Sequence, residues 1–163
     1  MEIRHINPGD DLAAVSEVYE KSWKYAYRNI IPDEYLDSIP AGKWINGINK
    51  NERTDIIALD GGKIIGAASF CPSRWEKFGS CGEIVSVYLL PEYTGRSIGS
   101  ELLRECIREL EWLGFRSILL WVLEGNVPAR RFYEKHGFVD TGDSMDDNIG
   151  GRDLREIMYI RRE

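Results

Sequence analysis

Two hydrophobic periodicities alternate along this chain. A short run, IRHIN, ends at Pro8-Gly9 and reads as a strand. Asp10 or Asp11 then caps a helix in which Leu12, Val15, Val18, Tyr19 and Trp23 recur at helical spacing. The stretch YAYRNIIPDEYLDSIP is aromatic and broken by prolines, which predicts loops with a short helix from about Pro32; a helical stretch is expected over residues 43–49. Two β-rich runs around Asp60-Gly61-Gly62 make a hairpin, and GEIVSVYLL supplies another strand that runs into Pro91.

From Ser97 onward, Ile98, Leu102, Leu103, Cys106, Ile107, Leu110 and Leu113 share one helical face that stops at Gly114. RSILLWVL is the near-continuous apolar run of a buried parallel strand. Pro128 opens a further helix that ends at Gly137, REIMYI is a last strand, and DSMDDNIGGRD is expected to be a mobile hairpin. The order β-α-α-β-β-β-α-β-α-β, with a β-α-β unit over residues 83–122, predicts an α/β fold on a mixed sheet.

At 163 residues the chain is expected to be a single domain, residues 1–163. Acids outnumber bases 27 to 21, a net charge of −6 that argues against nucleic acid as the main partner. No apolar run approaches the roughly 18 residues of a membrane span, and the N-terminus has no secretory apolar region. Cys71, Cys81 and Cys106 have no metal-like spacing, so no metal is expected and the cysteines read as reduced thiols of a cytoplasmic protein.

The stretch PEYTGRSIGS carries the first chemical signal. A strand, a glycine-containing turn and a helix start leave unpaired amides at the positive end of a helix dipole, a site for an anion. It lacks the lysine of a phosphate-binding Walker loop and the spacing of a dinucleotide fingerprint. By itself it is equally a turn before a helix.

Downstream, NVPARRFYEKHGF gives the loop its meaning. With Asn126, Ala129, Phe132, Tyr133, Gly137 and Phe138 in the pattern N-x-x-A-x-x-F-Y-x-x-x-G-F, the chain resembles the GCN5-related N-acetyltransferase (GNAT) family. The similarity is strongest over residues 55–138, and SWKYAY before the Pro-Asp turn resembles a subgroup of that family. The resemblance implies an acyl-CoA N-acyltransferase fold, with a central mixed sheet whose fourth and fifth strands splay apart. It implies acetyl-CoA as cofactor, its pyrophosphate held by Thr94, Gly95, Arg96, Ser97, Ile98, Gly99 and Ser100. Leu89 would offer backbone hydrogen bonds to the pantetheine arm, Asn126 would touch the cofactor, and Tyr133 would protonate the leaving thiolate. Family members often pair, so a homodimer is expected by resemblance.

Thr94 replaces the usual Gln or Arg of the loop, and Ser97 the usual Gly. Arg96 is the candidate to compensate for the first. Ser97 must sit at negative φ or bear about 1 kcal/mol of strain.

An amine of pKa about 10.4 has to lose a proton before it attacks, which calls for a carboxylate. Glu83, opening the strand into the loop, and Glu124, after LLWVL, are the two candidates; each reads equally as a solvated strand-end acid. Tyr133 reads as the polar tip of a pair in which Phe132 is the packed member. His136 sits where a cation meets a helix C-terminus, and His5 is no better placed for catalysis. The resemblance implies that the N-terminal helices cover the acceptor side, which makes Trp23 and Tyr27 the candidates for its wall among an aromatic set that also holds Tyr25, Tyr35, Trp44 and Trp75.

The expected reaction is transfer of acetyl from acetyl-CoA to a primary amine of a small molecule by direct attack. No Cys-His pair suggests a covalent intermediate. Acetylation of a protein N-terminus, or a CoA-binding sensor without turnover, stands as the alternative.

Overall fold

The computed structural model describes residues 1–163. Seven strands and four α-helices follow in the order β1 (Glu2–His5), α1 (Leu12–Ala26), α2 (Asp33–Asp37), β2 (Thr54–Asp60), β3 (Lys63–Pro72), β4 (Gly82–Leu89), α3 (Ile98–Trp112), β5 (Ser117–Leu123), α4 (Val127–Lys135), β6 (Val139–Ile149) and β7 (Arg152–Arg162). They form one mixed sheet in the order β1-β2-β3-β4-β5-β7-β6, in which only β4 and β5 run parallel.

Local chemistry accounts for the elements. Asp11, not Asp10, caps α1 by accepting from the amides of Ala13 and Ala14 at 3.0 and 3.2 Å. Asp10 instead forms a two-point pair with Arg4 of β1 (2.7 and 2.8 Å), which holds its carboxyl down at about 2. Val15, Val18 and Tyr19 of α1 and Leu102, Leu103, Cys106 and Leu110 of α3 join the main core. This core leaves the sheet with helix-covered faces.

One expectation is corrected and another is extended. Residues 43–49 hold only a single 3₁₀ turn, Ile45–Gly47, because Gly42 and Gly47 flank a segment too short to propagate a helix. The acid-rich stretch over residues 143–153 is a hairpin as expected, but a longer one. It belongs to the two 11-residue strands β6 and β7, which pair from Asn148↔Asp153 back to Val139↔Ile160. Polar side chains occupy most of β6 because it is an edge strand, so its sequence lacks an apolar run.

What positions the site is the parting of β4 and β5. They pair only at Gly82↔Ile118 and Glu83↔Leu119, then separate. A bulge accompanies the separation: Ser69 pairs with Ser86 but Phe70 with Ile84, leaving Val85 as the extra residue on β4. Beyond Glu83, the β5-facing edge of β4 lacks a partner strand, as the splay predicted.

Candidate active site

A cavity of about 410 Å³ opens in this divergence. Val85, Ser86, Val87 and Tyr88 of β4 form one wall, and Trp121, Val122 and Leu123 of β5 the other. Helix α4 contributes Ala129 and Tyr133, with Asn126 at its cap; α1 contributes Tyr19, Ser22, Trp23 and, just past its end, Tyr27. Trp44, Arg53, Ile149 and Glu156 close the remaining sides. The walls are mostly apolar with a few polar groups, the composition of a small-molecule site.

The expected residues of α4 meet in this cavity. Asn126 is nearly buried and caps the helix, its Oδ1 accepting from the amide of Ala129 at 3.3 Å. Tyr133 packs its ring edge-on against Phe132 and Phe138, with centroids 5.3 and 6.0 Å away, and its hydroxyl has no partner within the chain. Burial, reinforced by Tyr88, pushes the Tyr133 phenol well above its ordinary pKa, so it is protonated at neutral pH. His136 turns Nδ1 to the carbonyl of Phe132 at 2.8 Å and ends the helix, a structural position. His5 pairs with Glu109 at 2.5 Å, and neither lines the cavity.

The loop before α3 is a second feature. Gly95 has φ +76° and nothing within 4 Å of where a Cβ would stand. Ser97 caps α3 at φ +65°, so it occupies the left-handed region and bears the strain that negative φ would have spared. Its hydroxyl makes no capping bond. The amides of Gly95, Arg96, Ser97, Ile98, Gly99 and Ser100 find no acceptor within the chain. Such a row at a helix start suits a phosphate. Thr94 contributes little from its side chain, since its hydroxyl donates to the carbonyl of Pro91 at 2.8 Å. Arg96 is exposed and lies over the Tyr93 ring at 5.2 Å, free of any carboxylate. Leu89 pairs with Gly66 of β3 and leaves its other backbone edge toward the divergence. An anion-holding loop beside an unpaired strand edge fits a pyrophosphate with an amide-containing arm.

The two expected carboxylates both lie outside the cavity. Glu83 is buried, but it does not line the cavity. One oxygen accepts from the amide of Arg74 at 3.1 Å, and the other accepts from its guanidinium at 2.9 and 2.5 Å. Glu124 is exposed at the β5–α4 corner, 3.8 Å from Arg155, and is likewise outside the cavity. The carboxylate that does line it is Glu156 of β7, whose pKa is raised by burial first and by Asp147 second. Sequence reading passed over it, although an acid just before the apolar run IMYI was a signal.

The aromatic wall is coupled through Tyr88, which no pattern in the sequence singles out. Its hydroxyl accepts from Trp23 Nε1 at 3.1 Å and lies 3.3 Å from the Tyr27 hydroxyl. The Trp23 ring packs edge-on to Tyr27 at 4.9 Å and tilted to Trp44 at 5.7 Å. Tyr35 and Trp75, also in the aromatic set, do not line the cavity, and Tyr25 is exposed.

Comparison with known proteins agrees with this geometry. The model of the acetyltransferase (GNAT) family matches residues 12–138. An uncharacterised N-acetyltransferase of Bacillus subtilis, YuaI, is 33% identical over 78% of this chain and 74% of its own. Spermidine N(1)-acetyltransferase of Thermoplasma acidophilum is 30% identical over 98% of each. Among solved structures, the PaiA N-acetyltransferase of Thermoplasma acidophilum in complex with coenzyme A superposes with a TM-score of 0.75 at 24% identity, covering 99% of this chain and 98% of that one. The chain belongs to the GNAT acetyltransferase family: it is an N-acetyltransferase, and acetyl-CoA is its acetyl donor. No helix is long and apolar enough to cross a membrane, and no three His, Cys, Asp or Glu side chains cluster as metal ligands.

Proposed function

We propose that this enzyme acetylates the primary amine of a small molecule by direct attack, with Tyr133 as general acid and Glu156 as the acceptor of the amine proton. The observation that carries this reading is the cavity itself, where the unpartnered Tyr133 hydroxyl and the partly buried Glu156 carboxylate line one aromatic-walled space between β4 and β5. Beside it the β6–β7 turn packs on the α2 region, with Arg152 donating to the carbonyl of Ile30 at 2.8 Å and Gly150 against Tyr35. A cavity of about 410 Å³ with mostly apolar walls suits a small molecule. The spermidine-acetylating relative points the same way.

When bound, acetyl-CoA supplies an acetyl group activated as a thioester. The free amides of residues 95–100 hold its pyrophosphate, and the open edge of β4 near Leu89 orients the arm. Glu156, its basicity raised by burial, takes a proton from the acceptor ammonium, so that the nitrogen lone pair forms the C–N bond. As the C–S bond breaks, Tyr133 gives its proton to the sulfur and regains one through solvent from the nitrogen, which sheds its second proton to become the amide, while Glu156 releases its proton to solvent. The Trp23, Tyr27 and Trp44 rings favour a cationic amine approaching the site.

Tyr133→Phe tests the assignment. Thiol release should fall by roughly a hundredfold or more, while coenzyme A binding by calorimetry stays within about twofold. Unchanged turnover would remove Tyr133 from the mechanism.

A further inference from the structure

The cavity is lined by a cation that makes no ion pair within the chain. Arg53 lies just before β2, lines the cavity, and forms neither a hydrogen bond from its guanidinium nor an ion pair. Its Nε is sealed from solvent without an acceptor. The carboxylates nearest along the sheet are committed elsewhere: Glu83 to Arg74, and Asp55 to the amide of Asn49 at 2.6 Å and the Tyr19 hydroxyl at 3.3 Å. A second wall donor, Trp121 Nε1, is buried with no acceptor as well. Buried polar groups in folded chains nearly always find partners, so two orphaned donors in one cavity mark a place prepared for acceptor atoms of a ligand.

The acetyl donor is not that ligand at Arg53. Thr54 pairs with Phe70, and Phe70 with Ile84, so Arg53 lies level with the start of β4. The anion-holding loop follows Leu89 at the far end of that strand, five residues on, or roughly 17 Å at ~3.3 Å per residue. Arg53 therefore belongs to the half of the cavity away from that loop, the acceptor half.

We propose that Arg53 forms an anion subsite for the acceptor, so that the substrate is an amine bearing a carboxylate, as in an α-amino acid, and not a polyamine. This rests on the amine-acetyltransferase reading above. Guanidinium binds carboxylate through two parallel N–H···O bonds, a geometry matched to orienting a small zwitterion. Glu156 faces the ammonium of such a substrate while Arg53 faces its carboxylate. A polycation would leave the arginine unpaired and place a second positive charge in the same poorly solvated space.

The test measures thiol release from acetyl-CoA with each standard L-amino acid, its carboxamide, its decarboxylated amine, and spermidine. The best amino acid should exceed its own carboxamide in kcat/KM by about thirtyfold or more, the cost of truncating a desolvated charge pair. In Arg53→Gln that ratio should collapse toward one, and in Arg53→Lys it should be partly retained; coenzyme A binding reports that each variant is folded. A preference for spermidine or carboxamides, or a ratio unchanged in Arg53→Gln, overturns the proposal. If no amine is turned over, the amine-acetyltransferase reading fails by itself, and calorimetry on coenzyme A-saturated protein decides the subsite. There, binding of an amino acid but not its carboxamide, lost in Arg53→Gln, supports it, and binding of neither overturns it.

Discussion

A carboxyl held in a place that discourages its charge is a stability cost, and Glu156 bears one. Its pKa is raised by burial, so between the ordinary glutamate value of 4.5 and the raised folded value the native state binds more protons than the unfolded state. Stability therefore falls as pH rises through that window. Glu156→Gln should raise the unfolding temperature at pH 7 and leave it unchanged well below the ordinary glutamate value, where the carboxyl is protonated in both states. The same variant should lose the acidic limb of the kcat/KM profile; a profile with that limb intact would shift the base role to another group or to water. Ser97 is a second residue under strain, at φ +65°, and the sequence only half revealed it. The departure from glycine was visible, but the sign of φ is decided by how the loop enters α3. Glu83 shows the converse limit: its place at the start of β4 was legible, whereas its capture by Arg74 depends on a loop with no periodic signal.

At the level of elements, the acceptor side is assembled from the two ends of the chain. Ile31, Leu36 and Ile39 around α2 pack with Leu123 of β5, and Ile149 and Leu154 from the β6–β7 turn press on the same cluster. Gly150 is the point of closest approach. It has φ +62°, and a Cβ there would stand 2.5 Å from Cβ of Tyr35 and 2.8 Å from its Cγ. Gly150→Ala must displace the turn from α2, at a cost of about 1–3 kcal/mol. By denaturant titration the variant should be less stable by that amount, with a raised acceptor KM and near-normal coenzyme A affinity. Equal weakening for both ligands would mean that the turn supports the whole fold and not the acceptor side. Helices α1, α3 and α4 and strands β2 to β5 were readable because apolar spacing or a hairpin turn declared them. Strand β6 was not, since an edge strand has only one neighbour and tolerates the polar run DSMDDNIG.

Across the whole molecule, the sheet consists of two blocks, β1-β2-β3-β4 and β5-β7-β6, meeting directly at two residue pairs and linked by α3. An amide-bearing arm laid along the free edge of β4 would be bound by the same bonds that hold strands together. Coenzyme A at a hundred times its Kd should therefore add about 2.7 kcal/mol of stability. Amide exchange should slow most at residues 85–89 and 95–100; protection confined to the loop would mean that the strand edge takes no part. The parted strands also bear on folding. With one seam of the sheet left unfinished, a donor bound along it would double as a structural ligand. Scarcity of acetyl-CoA would then lower the resistance of this enzyme to proteolysis as well as its rate, coupling how long it persists to the supply of what it consumes.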